Sequence, residues 1–266
     1  LAEMGLDWCY LAMPCEPKNL EITIKALRNM NCKGLNITIP LKEKALPLCK
    51  QISSISKKIS AVNTLIPNES EGWKGDNTDV AGFLAPLKNI NLENKNAILL
   101  GCGGSARAVF LGLEILNIKT ITVVGRNADK LNSFIKEMSI NINPKKLSPQ
   151  VKGILEKDLN LIDYIKTSDL IINATPIGMT SNKSEIKMPL GHEIWTHLEK
   201  GTTLYDLIYT PRPTKWLENG LNMNCNVIDG LEMLIQQGAA SLRLWSNFEE
   251  IPIKLMRESA LNHLNS

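Results

Sequence analysis

Three glycines, Gly101, Gly103 and Gly104, stand between the apolar run AILL and a stretch of helix-forming residues, Ser105 to Leu116. Glycine at a strand end lets the backbone turn sharply and lets a pyrophosphate come close. The helix that follows presents unpaired N–H groups and the positive end of its dipole. The same residues also suit a tight strand–helix turn with no ligand. Ala106 stands where the third glycine of G-x-G-x-x-G would fall, and alanine still permits close helix–sheet packing, so it fits both readings. The tip of the next strand, VVGRNADK, carries Arg126 and Asn127 and no acid before Asp129. An acid at the tip takes the ribose hydroxyls of NAD, whereas a planar guanidinium suits a 2′-phosphate. The pattern predicts NADP rather than NAD. A solvated loop arginine is the bland alternative for Arg126, and Lys130 either assists it or merely belongs to a helix face.

A second polar set lies nearer the N-terminus, in NITIPLK (Asn36–Lys42), AVNT (Ala61–Thr64) and GDNTDVAG (Gly75–Gly82). Lys42 follows a strand-ending proline. Asn63 interrupts an apolar strand, where an amide needs a partner. Asp79 opens a helix after a loop. Taken singly, each has a structural reading: a surface lysine, a buried amide, a helix N-cap.

Such residues act together only if the elements carrying them converge. Asn19 to Met30 spaces Leu20, Ile24 and Leu27 on one face of a predicted helix. GLNITIP (Gly34–Pro40) predicts a short strand stopped by Pro40, Leu41–Cys49 a helix, and AVNTLIP (Ala61–Pro67) a strand. GWKGDNTD reads as a loop before a helix near Val80. The opening LAEMGLDWCYLAMP reads as the end of a helix and then a strand. Beyond Asn96 the texture changes. Strands AILLG, TITVVGR, DLIINAT and TTLYDLIY alternate with helices over Ser105–Leu116 and Ala128–Met138. Continuous apolar strands alternating with helices predict a parallel sheet covered on both faces, a doubly wound α/β domain. Residues 140–160 read as a polar, proline-containing excursion, and Leu231–Leu244 with Ile251–Asn262 as closing helices.

The 266 residues suit two domains of about 100–200 residues each. A net charge of +3 gives a nucleic-acid role no electrostatic support. No apolar run approaches the ~18 residues of a membrane helix, and no signal peptide is visible, so a cytoplasmic protein with no membrane partner is expected. Six scattered cysteines without C-x-x-C read as reduced thiols. The three histidines, His192, His197 and His263, form no cluster with them, so no metal is expected.

In order along the chain, the motifs closely resemble the shikimate dehydrogenase family. The family's G-x-N-V-T-x-P-x-K is matched by Gly34, Asn36, Ile37, Thr38, Pro40 and Lys42. Its G-A-V-N-T appears as Ser60 to Thr64, with serine for glycine. Its G-x-N-T-D-x-x-G is Gly75, Asn77, Thr78, Asp79 and Gly82, and its G-x-G-G-x-x-x-A is Gly101, Gly103, Gly104 and Ala108. N-A-T-P-x-G-M is Asn173 to Met179. D-x-x-Y-x-P-x-x-T is Asp206, Tyr209, Pro211 and Thr214. D-G-x-x-M-L-x-x-Q is Asp229, Gly230, Met233, Leu234 and Gln237, with Glu232 where glycine is usual.

The resemblance implies two domains. Residues 1–79 and 230–266 would form an α/β substrate domain, with the C-terminal helices and Trp245 returning to cover its sheet. Residues 80–229 would form the Rossmann-type NADP domain. It implies reversible reduction of 3-dehydroshikimate to shikimate by NADPH, with Lys42 and Asp79 catalytic. Hydride delivery to a ketone builds negative charge on oxygen, so a donor must stabilise that charge and supply a proton. Thr38, Asn63, Tyr209 and Gln237 would bind substrate. The cofactor would meet Gly101, Gly103, Gly104, Ser105, Ala106, Arg126 and Asn127 around the glycine loop, and Thr175, Met179, Gly230 and Met233 on later segments. The partner is then a small molecule, with the chain a monomer or homodimer. A quinate/shikimate paralogue using NAD and a non-catalytic nucleotide sensor are the alternatives. Family members begin with a strand and an S-x-S-P motif whose hydroxyls hold the substrate carboxylate. None precedes Leu1, and SSIS (Ser53–Ser56) lies in a helix-like stretch. Weak shikimate binding with an intact NADP site is therefore expected.

Overall fold

The computed structural model describes residues 1–69, 71–140, 148–179 and 187–265. It divides into two compact units, Leu1–Gly82 with Ile235–Ser266, and Phe83–Leu234.

The first unit opens in a single 3-10 turn, Ala2–Met4. The strand expected after it is not formed. A strand exists only by pairing, and no backbone N–H of residues 7–15 bonds to a neighbouring strand. Helix α1 (Leu20–Asn29) buries Leu20 and Ile24, and the Ile24 carbonyl accepts from the Trp73 indole at 2.8 Å. Then come β1 (Leu35–Asn36), α2 (Lys42–Ala45), β2 (Gln51–Ile52), α3 (Ser54–Ile59), β3 (Thr64–Pro67), β4 (Trp73–Asp76) and α4 (Asp79–Leu84). The sheet order is β1-β3-β4-β2, with β2 parallel to β4 and the other pairs antiparallel.

Three sequence expectations change here. The strand expected over Gly34–Pro40 keeps only Leu35 and Asn36. Beyond them Ile37 N–H bonds to the Asn63 carbonyl, and Pro40 has no N–H to offer a ladder. The helix expected over Leu41–Cys49 tightens into a 3-10 turn at Leu46–Leu48, where Pro47 removes a helical donor. GWKGDNTD is not wholly loop, because Trp73–Asp76 pairs with β3. Gly75 lets that strand press against its neighbours: a Cβ there would lie 2.7 Å from Cys49 Sγ and 2.8 Å from Val62 Cγ2. Ile37, Leu41, Ala45, Val62, Leu65 and Trp73 close the core with α1.

The second unit holds β5 (Asn96–Leu100), α5 (Gly104–Ile115), β6 (Thr120–Gly125), α6 (Ala128–Ile140), β7 (Gln150–Leu155), α7 (Leu161–Lys166), β8 (Leu170–Asn173), β9 (Thr203–Asp206), α8 (Lys215–Asn222) and β10 (Asn226–Ile228). All six strands are parallel, in the order β10-β9-β8-β5-β6-β7. The chain starts at β5 in the middle, winds outward to β7, then crosses to β8 and winds the other way. That is the doubly wound sheet, and its switch point lies between β5 and β8. The strands β7 and β10 escaped the sequence reading. β7 lies within the supposed polar excursion and buries only Ile154, and β10 has three residues, none fully buried. Residues 141–147 of that excursion lie outside the described residues.

The chain then enters α9 (Leu231–Ser246), which passes into the first unit at Ile235, and ends in α10 (Ile253–Asn265). Trp245 of α9 donates its indole N–H to the Leu65 carbonyl at 3.0 Å and fills the space over Gly34. Among the described residues no helix is long and apolar enough to cross a membrane.

Candidate active site

Lys42 is the first residue of α2 and Asp79 the first of α4. Their side chains are only 10% and 7% exposed, and Lys42 Nζ lies 2.6 Å from Asp79 Oδ2. Asp79 is thus held for its carboxylate rather than as a cap: its own N–H donates to Asn77 Oδ1 at 3.0 Å, which fixes the turn into α4. A buried ion pair is tolerable only when its remaining lone pairs are satisfied. Asn63 does this, donating Nδ2 to Asp79 Oδ1 at 2.8 Å.

Asn63 has company. Its Oδ1 accepts from Thr78 N–H and from the Thr64 hydroxyl, both at 2.8 Å, and its Nδ2 also reaches Thr78 Oγ1 at 3.0 Å and Gln237 Oε1 at 3.5 Å. Ser241 Oγ lies 2.9 Å from Thr64 Oγ1 and accepts from Asn36 Nδ2 at 2.9 Å, while Asn36 Oδ1 accepts from Tyr10 OH at 3.0 Å. Lys42, Asp79, Asn63 and Gln237 are thereby brought together within the first unit. Thr38 is not part of this network. Its side chain is exposed and bonds to no described residue, and only its carbonyl is used, by Leu41 N–H at 2.8 Å.

The nucleotide-loop candidates follow the C-terminal ends of three adjacent parallel strands, β8, β5 and β6. Gly101 has φ +109°, and a Cβ on it would meet Thr175 Cγ2 at 3.1 Å and the Ala174 carbonyl at 3.2 Å, so the loops after β5 and β8 touch where only glycine fits. Gly103 caps α5 without a side chain, and a Cβ there would meet nothing within 4 Å. Gly104 and Ser105 form the first turn of α5, and Ala106 is fully buried. This is an open cradle at a helix N-terminus, a fit for a pyrophosphate. Arg126 and Asn127 are both exposed at the tip of β6. Asn127 Oδ1 accepts from Lys130 N–H at 2.9 Å, so it caps α6. Arg107, buried on α5, donates to Glu137 Oε2 of α6 at 2.6 Å, tying together the helices behind both loops and holding the Glu137 carboxyl below its ordinary range. Burial pushes the Cys102 thiol up, so the cysteine of the loop is no ready nucleophile.

The residues after β8 and β9 form a buried clamp. Asn173 donates to Asp206 Oδ1 and to the Ile177 carbonyl, both at 3.0 Å, and accepts from the Thr175 hydroxyl at 2.7 Å. Asp206 also accepts from Ile208 N–H at 3.1 Å and Thr214 Oγ1 at 2.8 Å. Burial, helped by nearby Asp229, outweighs these bonds and pushes the Asp206 carboxyl up to about 6. Met179 and Tyr209 are exposed, Met233 is buried in the first turn of α9, and Gly230 is compressed: a Cβ there would lie 2.1 Å from the Leu207 carbonyl oxygen.

Residues 1–65 match the shikimate dehydrogenase substrate-binding domain, and residues 230–261 match the shikimate 5′-dehydrogenase C-terminal domain. The chain is 44% identical over 265 residues to the shikimate dehydrogenase (NADP(+)) of Prochlorococcus marinus (strain MIT 9215), covering 99% of this chain and 90% of that protein. The chain belongs to the shikimate dehydrogenase family. Its fold is similar to a shikimate dehydrogenase solved in complex with NADP+, at TM-score 0.85 and 30% identity, with 99% of this chain and 88% of that one covered. It is also similar to the shikimate 5-dehydrogenase of Thermus thermophilus in complex with NADP(H) and shikimate, at TM-score 0.81 and 28% identity, with 98% and 90% covered.

For this shikimate dehydrogenase family member, the sequence reading passed over Asn36, Thr64, Thr78 and Ser241 of the network, besides Tyr10. The first three stood inside quoted motifs, and Thr64 and Thr78 are buried. Ser241 carried one signal, its position four residues after Gln237, which puts both on one helix face.

Proposed function

We propose that this member of the shikimate dehydrogenase family catalyses the reversible NADPH-dependent reduction of 3-dehydroshikimate to shikimate. The observation that carries the reading is the buried contact of Lys42 Nζ with Asp79 Oδ2 at 2.6 Å, in a chain 44% identical to a shikimate dehydrogenase (NADP(+)). NADPH, when bound, supplies the hydride. Gly101, Gly103, Gly104, Ser105 and Ala106 would hold its pyrophosphate against the start of α5. Arg126 would take the 2′-phosphate, with Thr175, Met179, Gly230 and Met233 on the later segments.

Lys42 faces the developing alkoxide. Its ammonium stabilises the charge and delivers the proton to that oxygen. Asp79 keeps the ammonium in place, and Asn63 keeps Asp79 in place. In the oxidative direction the same pair takes up the proton from the substrate hydroxyl. Asn63 and Gln237, beside the pair, offer amide groups to the substrate's other hydroxyls, and Thr38 and Tyr209 offer hydroxyls from their own segments.

The test is a steady-state assay of the purified chain with shikimate and NADP+, followed by reduced-nicotinamide absorbance, with quinate and NAD+ as parallel arms. The expected result is turnover of shikimate with NADP+ that exceeds every other pairing. Preference for quinate or NAD+ would place the chain with the paralogues. Nucleotide binding without turnover of any pairing would mark it as a sensor.

A further inference from the structure

The buried hydroxyls of Thr64 and Ser241 touch no reacting atom in the mechanism above, yet they sit directly behind it. They are 177 positions apart in sequence and 2.9 Å apart in space, and Ser241 is fully buried. Proton counts together with distances give a direction to the shortest bonds between them and the ion pair. A hydroxyl has one proton, and the amide oxygen of Asn63 can only accept. The Thr64 proton therefore goes to Asn63 Oδ1 at 2.8 Å. Thr64 Oγ1 is then left as an acceptor, and its nearest hydroxyl is Ser241 Oγ at 2.9 Å, whose one proton also has the Gln237 carbonyl at 3.1 Å within reach. Ser241 in turn accepts from Asn36 Nδ2 at 2.9 Å. Along the shortest contacts donation runs from Asn36 through Ser241 and Thr64 into the Asn63 oxygen, with the Gln237 carbonyl competing for the Ser241 proton. That leaves the Asn63 NH2 facing Asp79 Oδ1, with Asp79 Oδ2 on Lys42.

We propose that Ser241, acting through Thr64, is a positioning residue for the Lys42–Asp79 pair. It makes the Thr64 hydroxyl a donor to Asn63, which holds the amide NH2 on Asp79 and so holds the carboxylate oxygen that faces the lysine. A residue of α9 thereby sets the aim of a lysine far earlier in the chain. Thr78 N–H also anchors Asn63 Oδ1 at 2.8 Å, so the amide keeps one hold when the other is lost. The effect is therefore a partial loss of turnover, about five- to tenfold for one neutral hydrogen bond, rather than its abolition. The kinetic part of this inference rests on the proposed activity; the resting geometry does not.

The test uses the full chain with Ser241→Ala, Thr64→Val, Thr64→Ser and the double variant Ser241→Ala/Thr64→Val. The first readout is the 15N signal of the Lys42 ammonium in the resting protein, sharp only when the group is shielded and held by fixed acceptors. Expected is a sharp signal in the parent and in Thr64→Ser, and a broadened or lost one in Thr64→Val and Ser241→Ala. The second readout is kcat against pH for shikimate oxidation. Expected is a five- to tenfold fall in both deletion variants with a displaced pH limb, unchanged NADP+ affinity, and a double variant no worse than the poorer single, since the two act in series. Ser241→Ala removes one atom from a packed site, so it reports even where Thr64→Val folds poorly. A Lys42 signal as sharp as the parent's in Ser241→Ala overturns the proposal, whatever happens to the melting temperature. If the parent chain turns over no shikimate, the functional reading fails, and the ammonium signal still decides the positioning role.

Discussion

At the scale of residues, the decisive feature is a lysine nine-tenths buried against a carboxylate. Breaking such a buried pair by removing one partner costs about 3–5 kcal/mol, because the remaining charge stays buried. Lys42→Ala is expected to lower kcat by about 10²–10⁴-fold, the usual span for a lost general acid. NADP+ affinity, measured calorimetrically, should stay within a factor of about 2, because the nucleotide candidates all belong to the other unit or to the start of α9. Asp79→Asn should also impair turnover, and the double variant should be no slower than the worse single, because the pair acts as one device. Arg126→Ala tests the nucleotide. Losing charge-assisted contacts to a phosphate costs about 1.5–3 kcal/mol, or one to two decades in NADP+ affinity, with little change for NAD+. Equal weakening of both would make Arg126 a residue of the fold. The sequence made Asn63 legible, because an amide in an apolar strand needs partners. Lys42 was legible only in the company of its motif. Ser241 lay outside any motif and was signalled only by its place four residues after Gln237, since hydrogen bonds closed by tertiary folding leave little local pattern.

Among elements, the glycine loop separates two uses of the same residue type. Gly101 serves the fold, through its positive φ and its contact with Thr175 and Ala174. Gly103 has φ −98° and open space around it, so the fold alone would accept a side chain there. Gly103→Ala is therefore expected to leave the thermal midpoint unchanged, within about 0.5 kcal/mol, as surface substitutions do. NADP+ affinity should nevertheless fall by tenfold or more, because the methyl would occupy the pyrophosphate's approach. Unchanged affinity would reduce the loop to a turn. Helices α1, α5, α6, α9 and α10 and the central strands β5, β6, β8 and β9 were readable because their apolar spacing is continuous, whereas α7, α8 and β4 were not. The edge strands β7 and β10 and the two-residue strand β2 were not, and β1 was read too long, because they gain their order from a neighbour rather than from their own burial.

For the whole molecule, Asp206 gives stability a pH dependence with a definite sign. Its carboxyl is raised from 3.8 to about 6 in the folded chain, so between those values the native state binds the extra proton. Stability from this group is full below about pH 4 and is lost as pH rises through 6, amounting to ~3 kcal/mol for about two pKa units. Denaturant unfolding of Asp206→Asn should therefore lack this loss. Its midpoint relative to the parent should improve from pH 4 to pH 7, and a constant difference across that range would contradict the assignment.

The first unit is closed by residues that arrive last. Leu65 waits for the indole of Trp245, and Thr64 waits for Ser241. On a ribosome adding about 5–20 residues per second, the stretch from Phe83 to Leu234 takes roughly 8–30 s to emerge. At the end of that interval the second unit has everything it needs to fold, while the polar network around Lys42 has stayed open to water throughout. The nascent chain thus completes its parallel-sheet unit before Lys42 and Asp79 are locked in their network, and a chaperone that engages this protein during synthesis has the N-terminal sheet to shield.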